Sequence, residues 1–99
     1  MKQQFMIVSG IDIQKMQNSS AEVGEQKRLV QLLMNKGILL EYSISADFEK
    51  VWMVMEAESE INVIQILSDF PLLSKLHIEI IPLKVHRSHT SRLYQPSLN

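Results

Sequence analysis

Two segments of this chain, Phe5-Met6-Ile7-Val8 and Val51-Trp52-Met53-Val54-Met55, carry apolar side chains at every consecutive position. Successive side chains of a strand point to opposite faces, so each segment reads as a strand covered on both sides. A chain of 99 residues forms one domain. Folding it removes about 65% of its surface from water, enough for one small core. One core covers one face of a sheet. The second face then calls for a partner.

Two capped segments supply the cover for the first face. Ser19 and Glu22 form a capping box, with Ser20 an equally usable cap, and Gln26, Leu29, Val30 and Leu33 recur at helical spacing. Gly37 is placed to take the left-handed position after the helix, which predicts a helix over residues 20–36. Ser59 caps a second helix that is apolar almost all round, from Ile61 to Phe70, and Pro71 stops it; the predicted span is 59–70. Residues 14–19 are polar and aperiodic and read as a loop.

Two further strands complete the pattern. From Ile38 to Ser45 the chain alternates, with Ile38, Leu40, Tyr42 and Ile44 on one face and Leu39, Glu41, Ser43 and Ser45 on the other. Residues 46–50 form a hairpin link, and Leu76 to Ile81 alternates again before Pro82. Gly10, inside the first strand, marks a bulge or a close backbone approach. The order β-α-β-β-α-β is the ferredoxin-like α+β pattern, an antiparallel sheet with both helices on one face. Its open apolar face predicts a homodimer or higher homo-oligomer, sheets packed face to face. A charge at Val54 or Met53, whichever faces the partner, is expected to disrupt it.

Composition excludes several classes of function. The chain has no cysteine, hence no disulfide, thiolate metal site or cysteine nucleophile. Ten basic against eleven acidic residues leave no global field to recruit nucleic acid or an anionic membrane. The apolar runs of four or five residues are too short to span a bilayer. The first residues lead straight into a strand-like run instead of a signal peptide, so a cytoplasmic location is expected. Charge is divided unevenly: residues 1–83, the predicted domain, hold seven basic and eleven acidic residues, while the tail 84–99 holds three cations and no acid. That tail lies across an acidic surface or frays as an ordinary terminus.

Residues 58–83 contain Glu58-Ser59, Leu67-Ser68, Phe70-Pro71-Leu72, Ile78-Glu79-Ile80 and Pro82-Leu83, in order and at fixed spacing. This pattern resembles the muconolactone isomerase family, and with the helix from Glu25 to Gly37 the resemblance covers residues 25–83. It implies the dimeric α/β barrel, a ferredoxin-like unit paired through its sheet, and a cofactor-free isomerase. The same superfamily includes cofactor-free monooxygenases. True isomerases are rich in Trp, Arg and His just after the helix glycine, whereas this chain reads Ile38-Leu39-Leu40-Glu41-Tyr42-Ser43. With one anion and no cation there, poor turnover of a carboxylated muconolactone is expected.

Moving a double bond relative to a carbonyl is a proton shuttle and needs one or two titratable groups in a dry pocket. Glu79 is the first candidate, inside the matched Ile78-Glu79-Ile80; its plain alternative is a structural hydrogen-bond acceptor. His77 shares a strand face with Glu79, and an imidazole both accepts and returns protons near neutral pH; its alternative is a satisfied interface histidine. Glu41 is the third, against the alternative of an edge-strand charge that discourages aggregation. Tyr42 and Trp52 are the aromatic walls available to a ligand, with core packing the default for both. His86 and His89 lack a third ligand in spacing, so neither a metal nor a cofactor is expected. The readings that remain are a cofactor-free isomerase or related oxygenase acting on a small carbonyl compound, a non-catalytic small-ligand-binding protein, and an assembly module.

Overall fold

The alternating segments become four strands of one sheet, and the capped segments become the helices that cover it. The computed structural model describes residues 2–84. Its elements are β1 (Gln3–Ile11), α1 (Ile13–Asn18), α2 (Ser20–Asn35), β2 (Leu39–Ile44), β3 (Lys50–Ala57), α3 (Glu60–Leu67) and β4 (Leu73–Leu83). The sheet order is β2-β3-β1-β4, and every neighbouring pair is antiparallel. This is the ferredoxin-like α+β arrangement expected from the element order. No helix among the described residues is long and apolar enough to cross a membrane. The tail from residue 85, with its His86/His89 pair, Arg87 and Arg92, lies outside the described residues.

Cross-strand rows define the two faces. On the helix side, Leu39, Met55, Phe5 and Pro82 lie in register, followed by Tyr42, Met53, Ile7 and Ile80. Ile7, Val51, Met53 and Met55 are completely buried there, packed with Leu29 and Leu33 of α2 and Val63 and Leu67 of α3. On the opposite side, Glu41, Val54, Met6 and Ile81 form one row, and Ser43, Trp52, Val8 and Glu79 the next. Among the described residues no helix covers this second face: Trp52 is 39% exposed and Ile81 44%. Met53 therefore faces the helices, and Val54 faces away.

Both predicted N-caps are realised. Ser19 Oγ accepts the Glu22 N–H at 3.2 Å, and Ser59 Oγ accepts the Asn62 N–H at 3.1 Å. Gly37 takes φ 73°, and the amides of Gly37 and Ile38 close onto the carbonyls of Met34 and Leu33. Gln26, 5% exposed on α2, donates to Tyr42 Oη and accepts the Leu72 N–H, each at 3.1 Å. A buried amide that bridges β2 and the entry to β4 leaves neither of its ends unsatisfied.

Four local expectations are corrected. Residues 13–18 form α1 instead of a loop, because Asp12 caps the Lys15 N–H at 3.1 Å while its own N–H donates to Leu72 O at 2.7 Å. The second predicted helix ends at Leu67, short of Pro71; the chain turns through Ser68 and Asp69 so that Phe70, 1% exposed, enters the core. Its all-round apolar character is not all buried, since Ile61 is 68% and Ile64 51% exposed. In β2 the pairing shifts between Leu39 and Glu41, so Leu39 joins Tyr42 on the helix side instead of opposing it. This irregularity absorbs Leu40 and breaks the alternation on which the face assignment rested. Finally, β4 starts at Leu73 and continues through Pro82. A proline is tolerated there because β4 is an edge strand.

Candidate functional site

Gly10 explains where the sheet opens. Ser9 pairs with Ile78, but Gly10 pairs with Ser74, so three residues of β4, 75–77, have no counterpart on β1. A Cβ on Gly10 would stand 3.3 Å from Ser74 Cβ, tighter than most side chains tolerate. The close approach at Gly10 and the extra residues beside it form the bulge expected from the sequence. Bulges lift a strand from its neighbour and re-aim side chains. Here the result is a hollow of about 530 Å³ on the open face, lined by Val8, Gly10, Glu49, Lys50, His77 and Glu79.

His77 and Glu79 come to this hollow by strand alternation. Ile78 between them packs against the core on the helix side, so both neighbours face away from it. Both are exposed in the single chain. Glu49 arrives from the β2–β3 turn and Lys50 from the first position of β3, and side-chain bonds hold this turn tightly. Ser45 Oγ donates to Asp47 Oδ1 at 2.6 Å and accepts the Glu49 and Lys50 N–H groups at 3.1 and 3.0 Å. The Ser45 hydroxyl, together with the Glu49 N–H, holds the Asp47 carboxyl below its usual range. Ile11 N–H donates to Glu49 O at 3.2 Å and ties this turn to the end of β1. The turn residues Glu49 and Lys50 were read as a plain polar link; only the pairing of Gly10 with both Lys50 and Ser74 brings them to the site.

The remaining candidates lie elsewhere. Glu41 and Trp52 meet on the open face in a small hollow of about 40 Å³ with Met6, Ser43 and Val54. Glu41 is on the opposite edge strand from Glu79, three strand spacings or about 14 Å across the sheet. Within one chain its charge bears on Val54 and Trp52, not on His77 and Glu79. Tyr42 stands on the helix side beside Gln26 and does not share the open face with Trp52. Burial pushes its phenol above the usual range, against the Gln26 hydrogen bond, which favours the phenolate.

A second hollow, about 370 Å³, lies between α3 and β4, lined by Glu60, Ile64, Leu67, Ser68, Ile78 and Ile80. From the sequence, a dry pocket offering Glu79 or His77 is expected. In the structure this hollow carries Glu60 instead, because the alternation of β4 sends Ile78 and Ile80 to the helix side. Glu60 was legible only as a helix-start acid. Among the described residues, no three His, Asp or Glu side chains converge to hold a metal.

Comparison with individual curated proteins finds no match. The sequence pattern of the muconolactone delta-isomerase family matches residues 4–89, which takes in β1 from its second residue, the other central strand β3, the Gly10 bulge and the His77–Glu79 strand. That span is wider than residues 25–83, over which the resemblance was legible residue by residue. The match covers most of the chain on the fold that the resemblance implies, and the chain belongs to the muconolactone delta-isomerase family.

Proposed function

We propose that this chain is a cofactor-free isomerase that moves a double bond in a small, largely apolar carbonyl compound, using the hollow beside Gly10. The observation that carries the reading is that His77 and Glu79 line one hollow, inside the span matched by the isomerase family. The Glu79 carboxylate takes a proton from the carbon next to the substrate carbonyl, and the electron pair moves onto the carbonyl oxygen as an enolate. The proton then returns to the distal carbon from Glu79, directly or passed on through His77, and the enolate collapses to the shifted double bond. Protons and electrons balance within the substrate, so no co-reactant is consumed.

Two carboxylates, Glu49 and Glu79, against one ammonium, Lys50, disfavour an anionic substrate in this hollow. Muconolactone itself is therefore not the proposed substrate. Water exclusion is assigned to a second copy. The open face has an apolar centre, Met6, Val8, Trp52 and Val54, with Glu41, Ser43 and Glu79 toward its edges. Apolar centre and polar rim are the anatomy of a protein interface. Packing two such faces together in a dimeric α/β barrel closes the hollow over His77 and Glu79 and brings Trp52 to its boundary as a ligand wall. A cytoplasmic location is part of the same proposal.

The test is a panel of small unsaturated lactones and enones followed by NMR for migration of the double bond. Glu79→Gln is expected to lower kcat by about 10²–10⁴-fold with the dimer intact, the usual range for losing a general base. Retention of a verified activity in both Glu79→Gln and His77→Asn would overturn the site. Efficient turnover of muconolactone by the wild type would overturn the substrate class. Binding without turnover across the panel would favour the non-catalytic ligand-binding reading.

A further inference from the structure

Proton removal in the hollow beside Gly10 leaves a negative charge on the substrate oxygen, and that charge needs a partner. Among the described side chains that line the hollow, Lys50 is the one cation, set against the carboxylates of Glu49 and Glu79. Before the transfer the hollow holds two carboxylates and one ammonium. Afterwards it holds one carboxylate, one enolate and the same ammonium, because Glu79 has become neutral. The net charge is unchanged, so the step carries a negative charge from one place in the hollow to another. Moved toward Glu49, that charge is opposed; moved toward Lys50, it is favoured.

The sheet sets the base and the ammonium on two sides of one point. β3 and β4 both flank β1, with Lys50 on β3 and Glu79 on β4. Lys50 shares the open face with Trp52, because Val51 between them is completely buried on the helix side. Its partner on β1 is Gly10, which has no side chain to stand between β3 and β4. Two strand spacings, about 10 Å, separate the backbones of β3 and β4, a gap in which a small carbonyl compound fits between two side chains. The Lys50 backbone is held at both of its polar groups: its N–H donates to Ser45 Oγ at 3.0 Å, and its carbonyl accepts the Ser45 N–H at 2.9 Å. Asp47 is a weak competitor for the ammonium, since its carboxyl is held down first by the Ser45 hydroxyl, then by the Glu49 N–H, and least by the charge of Lys50.

We infer that Lys50 is a catalytic residue of this hollow, its ammonium donating a hydrogen bond to the substrate carbonyl oxygen as that oxygen becomes the enolate. The inference rests on the reading of the hollow as the isomerase site. Glu79 takes the proton from the carbon next to the carbonyl, the electron pair moves onto the oxygen, and Lys50 keeps its own protons throughout. When the proton returns to the distal carbon, the charge leaves the oxygen and the hydrogen bond weakens. The contact is therefore stronger in the transition state than with the neutral carbonyl, and only such a difference lowers the barrier. A hollow that disfavours an anionic substrate yet holds one cation suits this use, because the negative charge reaches the substrate only after binding.

Para-nitrophenolate is a stable probe for the enolate: its binding needs no turnover, and its absorbance reports its ionisation. Glu79→Gln reproduces the charge of the hollow after proton transfer, with a neutral group in place of the carboxylate. This variant is expected to bind the phenolate more tightly than the wild type. Lys50→Met and Lys50→Gln remove the ammonium at an exposed position. In the Glu79→Gln background each is expected to weaken phenolate binding by about 10–100-fold, the loss of one hydrogen bond to a charged group. Lys50→Arg, which keeps the charge, is expected to retain most of the affinity. With a substrate identified from the lactone and enone panel, Lys50→Met is expected to lower kcat by about 10²–10³-fold and to leave KM nearly unchanged. Phenolate binding that survives both charge removals, with the circular dichroism spectrum intact, would overturn the assignment. So would full kcat in Lys50→Met when Glu79→Gln is inactive. Activity retained in Glu79→Gln and His77→Asn overturns the isomerase site itself, so these two variants tell the two failures apart.

Discussion

The two faces of the sheet are made from the same strands, one residue out of phase, yet they meet different neighbours. Met53 is completely buried under the helices, while Trp52, the preceding residue, is 39% exposed on the open face. The covered face is apolar apart from Ser9, whose hydroxyl donates to Gly10 O at 2.8 Å, and Gln26 and Tyr42, which bond to one another. The open face is mixed: its centre is apolar, and carboxylates, a histidine and serines stand around it. A face that only had to be buried would carry no such groups, because each uncompensated one costs stability. The covered face holds the fold together, while the open face leaves apolar and titratable side chains together at the surface.

The sharpest way to break this contrast is to place the same charge on adjacent residues. Met53→Glu puts a carboxylate among fully buried apolar side chains at a cost of several kcal/mol, comparable with the 5–15 kcal/mol that holds a domain folded. The expected result is loss of the native circular dichroism spectrum. Trp52→Glu points to water and is expected to fold, but to behave as a monomer by light scattering. An assembled, folded Trp52→Glu protein would contradict the use of the open face for pairing.

A second comparison sets the buried amide against an exposed hydroxyl. Gln26→Leu strands the Leu72 N–H and the Tyr42 hydroxyl in the covered layer and is expected to cost about 1–3 kcal/mol in urea unfolding. Ser43→Ala on the open face is expected to stay within about 0.5 kcal/mol. Removing the cap of the helix that carries Gln26 is a smaller change. Ser19→Ala is expected to cost about 1 kcal/mol, read from the same unfolding curves.

The smallest effect is a pH dependence. The Tyr42 phenol is raised above its unfolded value, so the folded state holds its proton more tightly. Its contribution is fully present below the unfolded phenol pKa of about 10 and is lost as pH rises through the higher folded value. Alkaline titration of stability should therefore fall less steeply in Tyr42→Phe than in the wild type. No such difference would mean that Tyr42 is solvated like the open face.

Much of this architecture was legible because its signals are local. Ser19 and Ser59 each cap an amide three residues on, and a glycine at position 37 takes φ 73° without a Cβ penalty. Apolar side chains at consecutive positions in β1 and β3 marked two strands that are apolar on both faces. The family resemblance was legible for a similar reason, since its motif lies within one contiguous stretch. What failed were features that depend on a second segment. α1 forms because Asp12 is anchored by Leu72 O, sixty residues away. Leu39 turns to the core because β2 slips against β3, and alternation read on one strand carries no information about its neighbour's register.

The candidate site divides along the same line. The sequence by itself determined that His77 and Glu79 share a face, since two residues of one strand separated by one must do so. It also determined that the central strands are apolar on both sides. Only the tertiary structure decided which face that is, that Tyr42 lies on the other one, that Glu41 stands at the far edge of the same one, and that Glu49 and Lys50 join the hollow. The physical reason is the three unmatched residues of β4 opposite Gly10: the hollow exists where two strands fail to stay in register, and register is a property of the pair.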